Sequence, residues 1–281
     1  MMIRVYVVTH KKYRFPKADM YQPIIAGAFE YEEDAFPENY IRDNTQISIS
    51  EKHDVYSEFT ALYWVWKNSS EDIVGINHYR RYFIRGGWGR YLLAILNPKE
   101  KIDKLALNKE DLSRIFDKGY DCVLPKKQWR VKRTLKDEFV AYYGNDLMVG
   151  TENVIRECFP DYYDVYSEIL NCRENYQKCI CIMKRDSFDR YVSWMFTVFS
   201  ELEKRGYGRN AREFAFLGER LMNVWVEYER KHNALRVKEL FYINTETKVS
   251  HFRDDYTEYY VPRFFKPLFL LLMKIGLWKY D

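Results

Sequence analysis

Short runs of β-branched and aromatic residues alternate with amphipathic stretches along most of this chain, and that alternation narrows the folds open to it. Ile3-Arg4-Val5-Tyr6-Val7-Val8-Thr9 reads as a strand. Phe59, Leu62, Tyr63 and Trp66 then recur at i, i+3, i+4 and i+7, which predicts a helix capped by Asp54 and ended by Asn68-Ser69-Ser70. Further strands are expected over residues 73–76, 120–124 and 178–183, and a strand-like run over 237–243. Helices are expected over 109–117, near 153–158 and over 162–170. Asp186 opens a long one whose apolar face carries Phe188, Tyr191, Met195 and Phe199. Asn210 with Glu213 three residues on has the form of a capping box, starting another helix. Residues 13–43, with three prolines, read as loop with a short helix near 24–29.

Strands that alternate with helices predict an α/β fold with a mainly parallel sheet flanked by helices. No linker interrupts residues 1–255, which are expected to form one domain, with residues 256–281 as a separate segment. In parallel sheets, ligands bind beyond the carboxyl ends of the strands. Three of the expected strands end in basic clusters: His10-Lys11-Lys12, His78 with Arg80-Arg81, and Lys126-Lys127. If those strands are parallel neighbours, the clusters meet at one mouth. Arginine offers bidentate donors and lysine a compact charge, so a diphosphate is the guest expected there.

Composition removes several classes. With 25 Tyr, 18 Phe and 7 Trp in 281 residues, the chain is too rich in large apolar rings to be disordered. A net charge of +4 and a pI of 8.6 fall short of the clustered basicity of a dedicated nucleic-acid binder. The five cysteines, without a signal peptide, read as reduced thiols in a cytosol, and Cys179 and Cys181 as packed strand residues.

Two blocks are specific enough to carry a likeness: residues 56–68, containing Glu58-Phe59-Thr60-Ala61-Leu62-Tyr63-Trp64-Val65-Trp66-Lys67-Asn68, and Gly75-Ile76-Asn77-His78-Tyr79-Arg80-Arg81-Tyr82-Phe83. Val8-Thr9-His10-Lys11, Asp43-Asn44-Thr45, Ile49-Ser50-Glu51-Lys52, Leu124-Pro125-Lys126-Lys127 and Ala211-Arg212-Glu213-Phe214 follow in order. Over residues 3–246 the chain resembles a family long known only as a domain of unknown function and found among capsular and exopolysaccharide gene products. The resemblance implies a GT-A-like, Rossmann-like glycosyltransferase of bacterial surface polysaccharide. Its donor would be a nucleotide diphosphate sugar, UDP-linked, with UDP-galactofuranose as a candidate. Its acceptor would be a lipid-linked or growing polysaccharide. His10, Lys11, Asp43, His78, Arg80, Arg81, Lys126 and Arg212 would then surround the nucleotide sugar. The chain departs from the family pattern at Gln46-Ile47-Ser48, at His53 and Cys179 (each where Asn is usual), at residues 139–143 and at Ala215.

Glycosyl transfer needs stabilisation of the departing diphosphate, which suits Arg80 and Arg81, and a base for the acceptor hydroxyl. Glu219 is the first candidate base and Glu58 the second. GT-A enzymes often hold a divalent ion, Mn or Mg, at an Asp-x-Asp motif, and none occurs here. Asp43 or Asp121 could supply oxygen ligands to such an ion, or the basic mouth could replace its charge. Residues 264–279 are apolar with interspersed Lys and a Trp, too broken by charge for the ~20 apolar residues of a membrane span. They fit a segment lying in the membrane interface, which would put the enzyme at the inner face of the membrane. Two other readings stay open: a non-catalytic nucleotide-sugar-binding or assembly subunit, and a single-stranded nucleic-acid binder.

Overall fold

The run Ile3–Thr9 forms β1, which lies inside the sheet, and its alternation decides what each face buries. A computed structural model describes residues 1–87, 89–91, 98–129 and 133–246, with Pro267 and Leu271. Tyr6 and Val8 point to one side of β1, and Ile3, Val5 and Val7 to the other, as the two-residue period of a strand requires. The other strands are β2 (Tyr21–Ile25), β3 (Ile41–Arg42), β4 (Ile73–His78), β5 (Arg81–Phe83), β6 (Cys122–Pro125), β7 (Gln128–Trp129), β8 (Glu174–Asn175), β9 (Cys181–Lys184), β10 (Val237–Leu240) and β11 (Tyr242–Asn244). Across the main sheet the order is β10, β6, β9, β4, β1, β2, β3; off that path, β5 pairs with the end of β4 and β11 pairs with β5. All pairings along that path are parallel except those of β9, which runs against both β4 and β6.

Helices α1 (His53–Tyr56), α2 (Phe59–Asn68), α5 (Leu135–Tyr143), α6 (Asp146–Cys158), α7 (Tyr163–Leu170), α8 (Arg185–Lys204) and α9 (Glu213–His232) pack on the Tyr6 side. Helices α3 (Pro98–Leu105) and α4 (Lys109–Asp117) cover the other. The long helices α8 and α9 bury the stripe their spacing foretells. Phe188, Met195 and Phe199 of the first and Phe214, Leu217 and Leu221 of the second are fully buried, each contributing about 1.5–3 kcal/mol of transfer energy. Among the described residues most aromatic rings are buried in, or packed against, the two core clusters.

Three expectations are corrected. The proline-rich stretch is mainly loop, but it also supplies β2 and β3, and the short helix expected near 24–29 is instead the end of β2 followed by a single 3-10 turn, Ala28–Glu30. Pro23 is tolerated inside β2 and has no N–H to give to the ladder. The helix expected from Asp54 is two helices, α1 and α2, broken where Ser57 turns to φ 48°. Lys178 and Cys179 are not strand residues: both have positive φ, and β9 begins only at Cys181. No helix of the described residues is long and apolar enough to cross a membrane. The segment expected at a membrane interface, residues 264–279, lies outside the described residues save Pro267 and Leu271.

Candidate functional site

Beta-strands 1 and 4 are parallel neighbours whose ends are in register, Val8 opposite His78, so the residues that follow them emerge side by side. Thr9 shapes the exit from β1. Its hydroxyl donates to the Lys11 carbonyl and accepts from the Lys11 N–H, a local turn that leaves His10 exposed at the rim. Beside it, Gly27, two residues past the end of β2, lies in the left-handed region, φ 66°. Asp43, fully buried, holds that turn: its carboxylate accepts from the N–H groups of Gly27 (3.0 Å) and Ala28 (2.9 Å) and from the Ser50 hydroxyl. Each such charge-assisted bond is worth about 1.5–3 kcal/mol.

From the opposite side, α1 and the segment before α9 close the space. The Arg212 N–H donates to the Asp54 carbonyl at 2.6 Å. The buried Glu213 carboxylate accepts from the Arg209 N–H, the Asn210 N–H and the Asn210 side chain, fixing the turn that carries Arg212. The capping box expected of Asn210 and Glu213 is not formed: α9 begins at Glu213 with Arg212 as its N-cap at φ 60°, and only the Glu213 carboxylate reaches back to Asn210.

These elements enclose a cavity of about 420 Å³ lined by His10, His53, His78, Arg80 and Arg212, with Asp54 and Glu58 on one wall. Burial, followed by the charges of Arg81 and Arg80, pushes His78 down to about 2. Burial, then Lys11 and Arg80, also lowers His10. The cavity therefore holds arginine charge and imidazoles that resist protonation until a negative guest arrives. Three of its nitrogens, His53 Nδ1, His78 Nδ1 and Arg80 Nε, are buried without a hydrogen-bond partner among the described residues. Unmet buried donors of that kind cost about 1–3 kcal/mol each, a cost that a ligand's oxygens would remove.

Backbone strain gathers here too. Ser57 and Arg212, both on the cavity wall, have positive φ; Lys178 and Cys179, which do not line the cavity, have it too. Charges on Glu219 and Glu58 both act on the Cys179 thiol, whose proton affinity is raised first by burial. Non-glycine residues held in such conformations cost of order 1–3 kcal/mol each and cluster at functional sites.

The structure brings together His10, His78, Arg80, Arg212 and Glu58. Lys11 stands just outside the cavity, paired to Glu246 at 2.7 Å and lying over the Tyr79 ring. Arg81 sits opposite His78 at the start of β5, close enough to act on it electrostatically. Asp43 is behind the wall, spent on the Gly27 turn. Lys126 does not line the cavity, because antiparallel β9 separates β6 from β4; it lies over the Phe241 ring. Glu219 is elsewhere as well, 3.4 Å from Arg220, which in turn binds Glu138. Tyr79 and Tyr82, beside the cavity in sequence, are buried; Tyr79 packs against His10, His78 and Tyr13.

A divalent ion does not fit the acids expected to hold it. Both oxygens of Asp43 are engaged as above, and Asp121 is taken by Lys184 and the Arg236 N–H. Among the described residues no group of three or more His, Cys, Asp or Glu is placed to hold a metal ion. A wider depression, about 940 Å³, lies over α8 and includes Trp66, Trp194, Arg190 and Glu229. Its charged groups are paired with one another (Arg190 with Glu229, Arg185 with Asp189), so size alone is a poor guide to the site. His53 and Ser57 were not singled out as site residues from the sequence. The signal available for His53 was its departure from the family pattern; Ser57 offers none short of its backbone angle.

Residues 4–232 match the family described as Domain of unknown function (DUF4422). No curated protein matches the chain significantly. Among solved structures it is similar to the WbbM bifunctional glycosyltransferase in its apo form, with a TM-score of 0.75 and 26% identity, covering 88% of this chain and 46% of that one. The chain thus spans about half the length of that relative. It also aligns with the mannosyltransferase Ktr4p from S. cerevisiae at a TM-score of 0.31 and 10% identity, over 73% of this chain and 57% of that one. The mixed sheet flanked by helices is the GT-A-like α/β fold that the resemblance implied.

Proposed function

The chain belongs to the DUF4422 family, and from that premise we propose that it is a glycosyltransferase whose nucleotide diphosphate sugar binds in the cavity at the ends of β1 and β4. The observation that carries the reading is the cavity's chemistry: two arginines from separate elements, three imidazoles and three buried nitrogens without a partner among the described residues, around about 420 Å³. The likeness to a bifunctional glycosyltransferase supports it.

In this reading Arg80 and Arg212 take up the charge that grows on the diphosphate as the bond to the anomeric carbon breaks. His78, held neutral by burial, adds a donor that needs no counter-charge, and His53 adds a second imidazole. Glu58, on the same wall, is the carboxylate positioned to accept the proton of the acceptor hydroxyl as its oxygen bonds to that carbon. Glu219, engaged with Arg220 away from the cavity, is the lesser candidate. The donor is proposed to be UDP-linked and the acceptor a lipid-linked or growing polysaccharide, with residues 264–279 resting on the membrane face.

Calorimetric titration with UDP and UDP-sugars tests the proposal. Wild-type protein is expected to bind, and Arg80→Ala and Arg212→Ala to weaken binding about tenfold or more, the loss of a charge-assisted pair. Glu58→Gln is expected to retain binding and lose transfer. Absence of nucleotide binding by wild-type protein would overturn the reading; binding without transfer would leave a nucleotide-sugar-binding subunit.

A further inference from the structure

One carboxylate ties together two of the cations at this mouth. Glu246 Oε1 accepts from Lys11 Nζ at 2.7 Å, and its Oε2 accepts from Arg80 Nη1 at 3.1 Å. Lys11 follows β1 and Arg80 follows β4, so the pair of bonds spans the junction of the two strands that build the cavity. Glu246 is delivered there by the end of β11. The Thr245 N–H donates to the Arg80 carbonyl at 2.8 Å, the Thr245 and Tyr13 hydroxyls lie 2.8 Å apart, and the Glu246 N–H donates to the Asn244 side chain.

We propose that Glu246 is the internal anion of the site, a specificity-determining side chain that an incoming ligand must displace from Arg80 and Lys11. The inference rests on the reading of the cavity as a diphosphate site. Arg80 belongs to both sides: it lines the cavity, its Nε has no partner among the described residues, and its Nη1 is held by Glu246. A singly charged anion offers Arg80 little that Glu246 does not already supply. A diphosphate brings enough charge to take Arg80 and leave a second phosphoryl group for Lys11, so it is favoured over a monophosphate. The local electrostatics agree with a held carboxylate. Burial alone would raise Glu246, but hydrogen bonds from Lys11 and Arg80 outweigh it and keep the carboxyl below its ordinary value, while the same bond raises Lys11.

The test is titration calorimetry of the full chain with inorganic phosphate and pyrophosphate, for wild type and Glu246→Gln. The variant is expected to bind phosphate about tenfold tighter and pyrophosphate only a few-fold tighter, so the preference for pyrophosphate narrows. Lys11→Met should weaken pyrophosphate binding more in the Glu246→Gln background than in wild type, because in wild type the gain from Lys11 is partly offset by breaking its bond to Glu246. If Glu246→Gln does not fold, Glu246→Asp, with its shorter reach, should narrow the preference part of the way. An unchanged preference in a folded variant would overturn the inference alone. Weaker binding of both anions would overturn it too, making Glu246 a support for Arg80. No binding of either anion by either protein would instead overturn the reading of the cavity.

Discussion

The His53 imidazole lies over Gly27 so closely that a Cβ on residue 27 would fall 2.5 Å from the ring. The two residues come from different sides of the cavity, one following β2 and one opening α1, and the missing side chain at residue 27 is what lets them meet. Gly27 also has φ 66°, which an L side chain adopts at a cost of about 1 kcal/mol. Gly27→Ala is therefore expected to lose about 1–3 kcal/mol of stability, from backbone strain plus a contact that cannot relax in place. Because the ring must move, nucleotide affinity should fall as well. Urea denaturation and UDP titration of the same sample check both; normal affinity would show that the His53 position is immaterial.

Arg212 separates strain from function. Its φ of 60° is unfavourable for arginine, and the side chain reaches the cavity all the same. Glycine at that position would relieve the conformation and remove the guanidinium together. Arg212→Gly is expected to leave folding stability unchanged or raise it by up to ~1 kcal/mol, while UDP binding weakens about tenfold or more. A chemical denaturation curve set beside the binding isotherm distinguishes this from a residue retained for structure, which would lose stability on the same change.

How far the sequence reached depends on the range of the interaction involved. β1 and the stripes of α8 and α9 were legible because strand and helix periods are local properties. The meeting of His10 with His78 followed from general rules about parallel sheets. Lys126 was misplaced because nothing in its neighbourhood reveals that β9, more than fifty residues later, inserts antiparallel between β6 and β4. Asp43 looked like a ligand-binding acid for a similar reason. Its partners Gly27, Ala28 and Ser50 are brought to it by the turn that it stabilises. Glu246 went unnoticed since its pairing with Lys11 spans 235 residues.

Cys179 offers a check on backbone strain outside the cavity. At φ 46° it occupies the region where Asn is enriched and β-branched residues are outliers, and the related family pattern has Asn there. Cys179→Asn is expected to keep stability within about 1 kcal/mol, since relief of the backbone offsets burial of an amide. Cys179→Val should lose about 1–3 kcal/mol although it is the closer match in polarity. Thermal unfolding of the two variants decides the matter: a more stable Val variant would mean the backbone there relaxes freely.

His78 sets the expected response to acid. Its pKa in the folded protein is pushed down to about 2, first by burial and then by Arg81, Arg80 and His10, against about 6.5 in an unfolded chain. Between those values the unfolded state binds the proton and the folded state does not, so ∂ΔG/∂pH is positive. The contribution of His78 is fully present above pH 6.5 and is lost progressively as pH falls below it, by at most about 1.4 kcal/mol per pH unit. His78→Gln removes that component. Urea midpoints measured at pH 5.0 and 7.5 should therefore differ less for His78→Gln than for wild type. A bound diphosphate should reduce the acid loss in wild type, because its charge offsets that of Arg80 and Arg212 and makes a protonated imidazole tolerable. Equal pH slopes in the two proteins would mean that His78 takes up its proton in the folded state as readily as in the unfolded one.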